Sequence, residues 1–189
     1  MKKCYLVSIL LLSLFNGKTF GQTQTLLSPC LGTFSRSAYF FDLQAVNNIV
    51  LNNFSVMSQN CGTRDISVYY KTGTYLGFNS NPNAWTLLGS VSTFTPNCSI
   101  ACPIPPTIIP VDFNLCLTAG QTYGFYIVTT AGAGTLESHN TLPSGSIAAQ
   151  DANLKLITGE GHSSFTPFNM GGTLVTGLSF QGEIHYSFP

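Results

Sequence analysis

Charge is what this sequence has least of. Only 7% of its 189 residues are Asp, Glu, Lys or Arg, against roughly 25% in an ordinary soluble domain. Three of the seven basic residues (Lys2, Lys3 and Lys18) sit near the N-terminus. Residues 22–189 keep Arg36, Arg64, Lys71 and Lys155 against seven acids, a small net negative charge. Four scattered cations cannot form the basic stripe that binds a phosphate backbone or an anionic membrane surface, so nucleic acid is excluded as a partner. Helical periodicity is missing too. After residue 21 no segment repeats its apolar residues every three to four positions between recognisable caps, which excludes a parallel α/β sheet with crossover helices. Gln44–Asn53 comes nearest to a helix, but β-branched Val46, Ile49 and Val50 and its frequent Asn favour strand. There is no Gly-x-Ser-x-Gly, and the three histidines (His139, His162 and His185) lie far apart in the chain. Neither a nucleophile elbow nor a closely spaced histidine pair announces catalysis.

One apolar run is present, and it is short. Lys2 and Lys3 precede Leu6–Phe15, and Thr19-Phe20-Gly21 supplies small residues ahead of Gln22. A basic start, an apolar stretch too short to span a bilayer and a small-residue cleavage site describe a secretory signal peptide, cut after Gly21. The expected protein is exported, with no membrane insertion once residues 1–21 are removed. Residues 22–189 are expected to form one domain with its core over about 30–188.

The remaining chain reads as short alternating runs bounded by Gly, Pro and Asn. Strands are expected at 38–43, 48–57, 65–72, 85–94, 108–117, 122–130, 135–139, 153–157 and 178–186. The run at 122–130 is almost continuously apolar, which marks a central strand. Such a set predicts an all-β fold, a single antiparallel β-sandwich of jelly-roll-like form. The proline-rich stretch 103–110 reads as a loop between strands.

Cysteine speaks for an oxidising compartment. Cys4 leaves with the signal, and Cys30, Cys61, Cys98, Cys102 and Cys116 remain as disulfide candidates. Cys98 and Cys102 could close a small ring, or one of them could clamp the loop to Cys116, with Cys30 then tied to Cys61. Five is odd, so one thiol stays free or pairs between chains. Zinc on Cys98, Cys102 and Cys116 is the competing reading; no second close Cys or His pair supports it.

Three stretches resemble a module of secreted, adhesin-like and often multidomain proteins of marine and gliding bacteria of the Bacteroidota type. The first is 41–45 with 48–54. The second is Val68-Tyr69-Tyr70-Lys71-Thr72-Gly73-Thr74-Tyr75-Leu76-Gly77-Phe78 with Ala84-Trp85-Thr86-Leu87-Leu88-Gly89. The third is Ala119-Gly120-Gln121-Thr122-Tyr123-Gly124-Phe125-Tyr126, with 182–186 closing the chain. The resemblance implies a non-catalytic β-sandwich with a poorly defined biochemical role. The cysteine-bearing insert 97–106, with Cys30 and Cys61, departs from that pattern. The chain also ends just after its last strand, without the C-terminal sorting module that such exported proteins often carry.

Candidate chemistry is thin. A glycosidase needs two carboxylates about 5–10 Å apart across a cleft, and the spacing of Asp42, Asp65, Asp112, Glu137, Asp151, Glu160 and Glu183 announces no such pair. Glu183 and His185 share a strand face, which reads as an ordinary contact. No cofactor is expected. Calcium would draw on Asp151 with Asn153, or Asp42 with Asn47, short of the six to eight oxygens the ion takes. The loop 74–85 is the most suggestive surface segment. It sets Tyr75, Phe78 and Trp85 among Asn79, Asn81 and Asn83, with no charge. Aromatic faces suit the C–H face of a sugar and amides suit its hydroxyls. These six residues are the expected ligand site, although Trp85 reads first as the start of a strand that points into the core with Leu87, and Tyr75 and Phe78 fit the core as well as the surface. The expected function is an extracellular non-catalytic module that binds a glycan or another surface polymer. The alternative is a structural or adhesive element that packs with copies or partner domains, and glycan hydrolysis is a distant third.

Overall fold

The computed structural model describes residues 22–189 except 29, 32–33, 133–134 and 140–141. The expected signal peptide lies outside the described residues, as do the side chains of Glu137 and His139. In chain order the strands are β1 (Gln24–Ser28), β2 (Phe34–Arg36), β3 (Ala38–Ala45), β4 (Ile49–Val56), β5 (Arg64–Thr72), β6 (Thr86–Phe94), β7 (Thr107–Ile108), β8 (Leu115–Leu117), β9 (Thr122–Gly132), β10 (Leu136–His139), β11 (Ile147–Gln150), β12 (Leu154–His162), β13 (Val175–Phe180) and β14 (Gly182–Ser187). They form two antiparallel sheets that pack face to face as a β-sandwich. The smaller runs β1-β14-β4-β7, with β8 also on β4. The larger runs β2-β10-β13-β12-β3-β9-β5-β6, with β11 also on β12. Among the described residues no helix is long and apolar enough to cross a membrane.

Alternation decides which residues meet between the sheets. From β3 these are Tyr39, Phe41 and Leu43; from β9, Tyr123, Phe125 and Ile127; from β4, Ile49, Leu51 and Phe54. Phe41, Phe54, Phe125 and Phe180 interlock at its centre, with ring centroids 5.0–5.8 Å apart. β3 is buried on its other face as well, where Ala38 and Phe40 join a second apolar cluster with Tyr126, Val128, Tyr75 and Trp85. Two loops cover that outer face, and the candidate site is built there.

Two expected strands are divided in the structure. The stretch 108–117 becomes β7 and β8, both on β4. Pro110 lacks the amide a ladder needs, and Asn114 turns the chain with φ 48°. The stretch 178–186 becomes β13 in the large sheet and β14 in the small one. The chain changes sheets at Gly182, whose φ is 154°; a Cβ there would sit 2.0 Å from the Ser55 carbonyl oxygen. Only glycine lets β14 approach β4 that closely.

Among the described residues two disulfides are present, Cys30–Cys102 and Cys61–Cys98, and Cys116 is free and exposed on β8. Cys30 and Cys61 therefore do not bridge each other, and neither Cys98 nor Cys102 reaches the other or Cys116. Each bridge instead ties the 95–106 loop to a distant segment. Beside them Arg64 is 1% exposed. Its guanidinium donates to the carbonyls of Asn60, Gly62 and Thr135 and to the Ser58 hydroxyl. That fan of donors pins the segment carrying Cys61. Burial lowers the Arg64 pKa.

Candidate binding surface

The outer face of the large sheet is made from β5, β9, β3 and β12. In register across them lie Tyr69, Tyr126 and Phe40, and Glu160 pairs with Phe40. Phe40 stacks on Tyr126 with centroids 4.0 Å apart. The loop 73–85 folds onto this platform with Tyr75 and Trp85, and the segment 163–174 adds Phe168. Trp85 lies 5.6 Å from Phe40 and 6.0 Å from Phe168, centroid to centroid.

Polar contacts then fix the loop. Asp42, buried on β3, accepts from the Thr74 hydroxyl at 2.5 Å and from the Tyr75 amide at 2.9 Å. Gly124 faces the same point: a Cβ there would lie 2.8 Å from the Tyr75 nitrogen, so the loop sits flush on β9 only because the residue is glycine. The Trp85 indole N–H donates to the Phe78 carbonyl at 2.9 Å. The Asn79 amide donates to Glu160 at 2.6 Å. The Asn81 side chain accepts from the Asn83 amide and caps the 3-10 turn Pro82–Ala84. The Lys71 ammonium donates to the Thr72 and Thr74 carbonyls and lies 4.2 Å over the Phe78 ring, a cation–π contact.

Electrostatics follow from burial. Desolvation raises the Asp42 and Glu160 pKa values, against the hydrogen bonds from Thr74 and Tyr75 in the first case and Asn79 in the second. Burial and the Glu160 charge also push the Tyr75 hydroxyl upward; Ser144 lies near it but out of hydrogen-bonding geometry. His162 is fully buried. Its Nδ1 accepts from the Ser164 amide, so Nε2 carries the proton and donates to the Tyr126 hydroxyl at 3.2 Å. Burial lowers its pKa, and protonation would set two N–H groups against each other at Nδ1.

The six expected ligand residues thus divide. Tyr75 is 1% and Trp85 9% exposed; both rings are spent on the platform and are not open to a ligand. Asn79 is half-buried and spent on Glu160. Phe78, Asn81 and Asn83 are exposed at the loop tip, beside Leu76 at 52% exposed. Sequence reasoning missed the anchors Asp42 and Glu160, which lie 33 and 81 residues from their loop partners.

The calcium and catalytic candidates resolve into local structure. Asp151 accepts the amides of Asn153 and Leu154 on Oδ1 and the Tyr186 hydroxyl on Oδ2, an ordinary turn wired to β14. Asn47 bonds Ala152 and Asn153 rather than joining Asp42. His185 meets Ser55 at 2.7 Å and Glu183 at 3.4 Å through the same Nε2, and Thr25 at Nδ1. A serine–histidine–acid relay needs the acid on the other ring nitrogen, and Ser55 is 1% exposed. No protein-family model matches the chain, and no curated protein matches it.

Proposed function

We propose that the protein works outside the cell as a non-catalytic, adhesin-like binding module, with a neutral glycan or another uncharged surface polymer as ligand. One observation carries this reading. Phe78 stands 39% exposed at the tip of a loop whose base is locked by Asp42, Trp85 and Glu160, with the exposed Asn81 and Asn83 near it in sequence. An aromatic ring on an anchored loop, with exposed side-chain amides beside it, suits a sugar ring and loses little backbone entropy on contact. The two disulfides, the scarcity of charge and the composition of residues 1–21 support export. Residues 22–189, oxidised and applied to a glycan array, test the proposal: saturable binding to neutral glycans is expected.

The structural or adhesive alternative rests on β6. This strand is an edge of the large sheet, has no charged residue, and exposes Leu87 at 51%. Such an edge is open to pairing with another strand. Concentration-dependent assembly without glycan binding would favour that reading.

A further inference from the structure

A cleft of about 600 Å³ lies at the other side of the molecule, where the smaller sheet meets the proline-rich loop. Its volume falls in the range of small-molecule sites. The Cys30–Cys102 bridge forms part of its wall and joins the chain beyond β1 to the loop. Met57 and Ile104, both nearly fully buried, line it together with Pro103, Pro105 and Pro106. Leu27 and Glu183, register partners on β1 and β14, complete the lining, and half of Leu27 is exposed.

Glu183 is the one ionisable residue that lines the cleft among the described residues. Its side chain is 28% exposed. None of the basic residues Arg36, Arg64, Lys71 and Lys155 lines it. The His185 ring lies 3.4 Å from the Glu183 carboxylate. Burial lowers the His185 pKa, against the pull of Glu183, so the ring brings no fixed positive charge to the cleft near neutral pH. The cleft therefore offers an apolar body with a single negative charge.

We propose that this cleft binds a small organic cation: an apolar aliphatic or aromatic body seated against the prolines, Met57 and Ile104, with an ammonium group on Glu183. The site is separate from the Phe78 loop and does not depend on the reading given to that loop.

Phenylbutylamine, phenylbutanol and phenylbutyrate probe it, titrated into the oxidised protein near neutral pH with calorimetry and amide NMR shifts. The amine should bind with shifts at Leu27, Met57 and Ile104, the alcohol more weakly, and the acid at least about tenfold more weakly than the amine. Glu183→Gln should abolish the amine's advantage over the alcohol and leave the alcohol's affinity unchanged. Leu27→Lys changes an exposed rim residue and places an ammonium opposite Glu183. It should likewise abolish the advantage, with an unchanged melt. Equal binding of amine and acid, an amine preference that survives Glu183→Gln, or shifts confined to other surfaces would overturn the proposal. So would a dimer in sedimentation that the amine disperses, because the cleft would then belong to a second copy of the chain.

Discussion

Asp42→Ala should loosen the loop that carries the proposed contact. The substitution removes the acceptor of the Thr74 hydroxyl at 2.5 Å and of the Tyr75 amide at 2.9 Å. Hydrogen bonds to a charged group contribute about 1.5–3 kcal/mol each, and an amide left buried without a partner costs about 1–3 kcal/mol. Relief of the buried carboxylate's desolvation, which raises the Asp42 pKa, offsets part of this. A net loss of about 2–4 kcal/mol is expected, or roughly 5–15 °C in melting temperature for a chain of this size. Asp42→Asn keeps an oxygen for the Tyr75 amide and should lose less than half as much. The signs with pH then separate the two effects. A carboxyl whose folded pKa is raised above its ordinary 3.8 binds protons more readily in the folded state. Its contribution therefore improves as pH falls through the folded value toward the ordinary one. Asp42→Asn should remove that improvement. Thermal melts across pH, with hydrogen exchange at the Tyr75 amide, read both effects. A melt of Asp42→Ala within about 1 °C of the parent, with the Tyr75 amide still protected, would refute the clamp.

Trp85→Ala should cost about 3–5 kcal/mol, because its ring fills the second cluster and its indole holds the Phe78 carbonyl; denaturant unfolding checks it, and a near-neutral result would show the ring unpacked. His162, with a pKa lowered by burial, should make stability fall as pH drops below its ordinary 6.5. His162→Gln should flatten that fall, measured by melts against pH. Non-reducing peptide mapping should recover Cys30 with Cys102 and Cys61 with Cys98, and only Cys116 should react with an alkylating agent before reduction. Arg64→Met should destabilise by about 3 kcal/mol or more, since three carbonyls lose charged donors at once.

The short strands β1, β2 and β11 were not expected, whereas strand positions were legible in the longer runs that alternate against one core, as in Ile66 and Val68 of β5 or Leu154 and Leu156 of β12. The sandwich follows from them. β3 is harder to read, because Ala38, Phe40 and Asp42 are buried by loops that the local sequence does not show folding back. The change of sheet after Phe180 is invisible for a similar reason. Apolar alternation continues from Leu178 to Tyr186, and Gly182 alone marks the crossing. Cysteine pairing was not legible either, since it depends on which loops the two sheets bring together. At the candidate site the aromatic and amide composition of 74–85 stood out. The division of labour within it did not. Tyr75 and Trp85 point inward because Asp42, Phe40 and Tyr126, on strands distant in sequence, supply the clamp and the platform.

The most direct test of the account compares Phe78→Ala with the parent protein on the same neutral glycans, with a melt of each. One aromatic contact is worth about 1 kcal/mol, so affinity should fall about fivefold. The melting temperature should fall by no more than about 2–4 °C, because the exposed Phe78 ring loses only its surface contact with the Lys71 ammonium, about 0.5–1 kcal/mol, and the backbone carbonyl that serves the Trp85 anchor is kept. Unchanged glycan binding by a folded Phe78→Ala protein would contradict the assignment of the loop tip. A collapsed melt would show that Phe78 belongs to the platform with Tyr75 and Trp85.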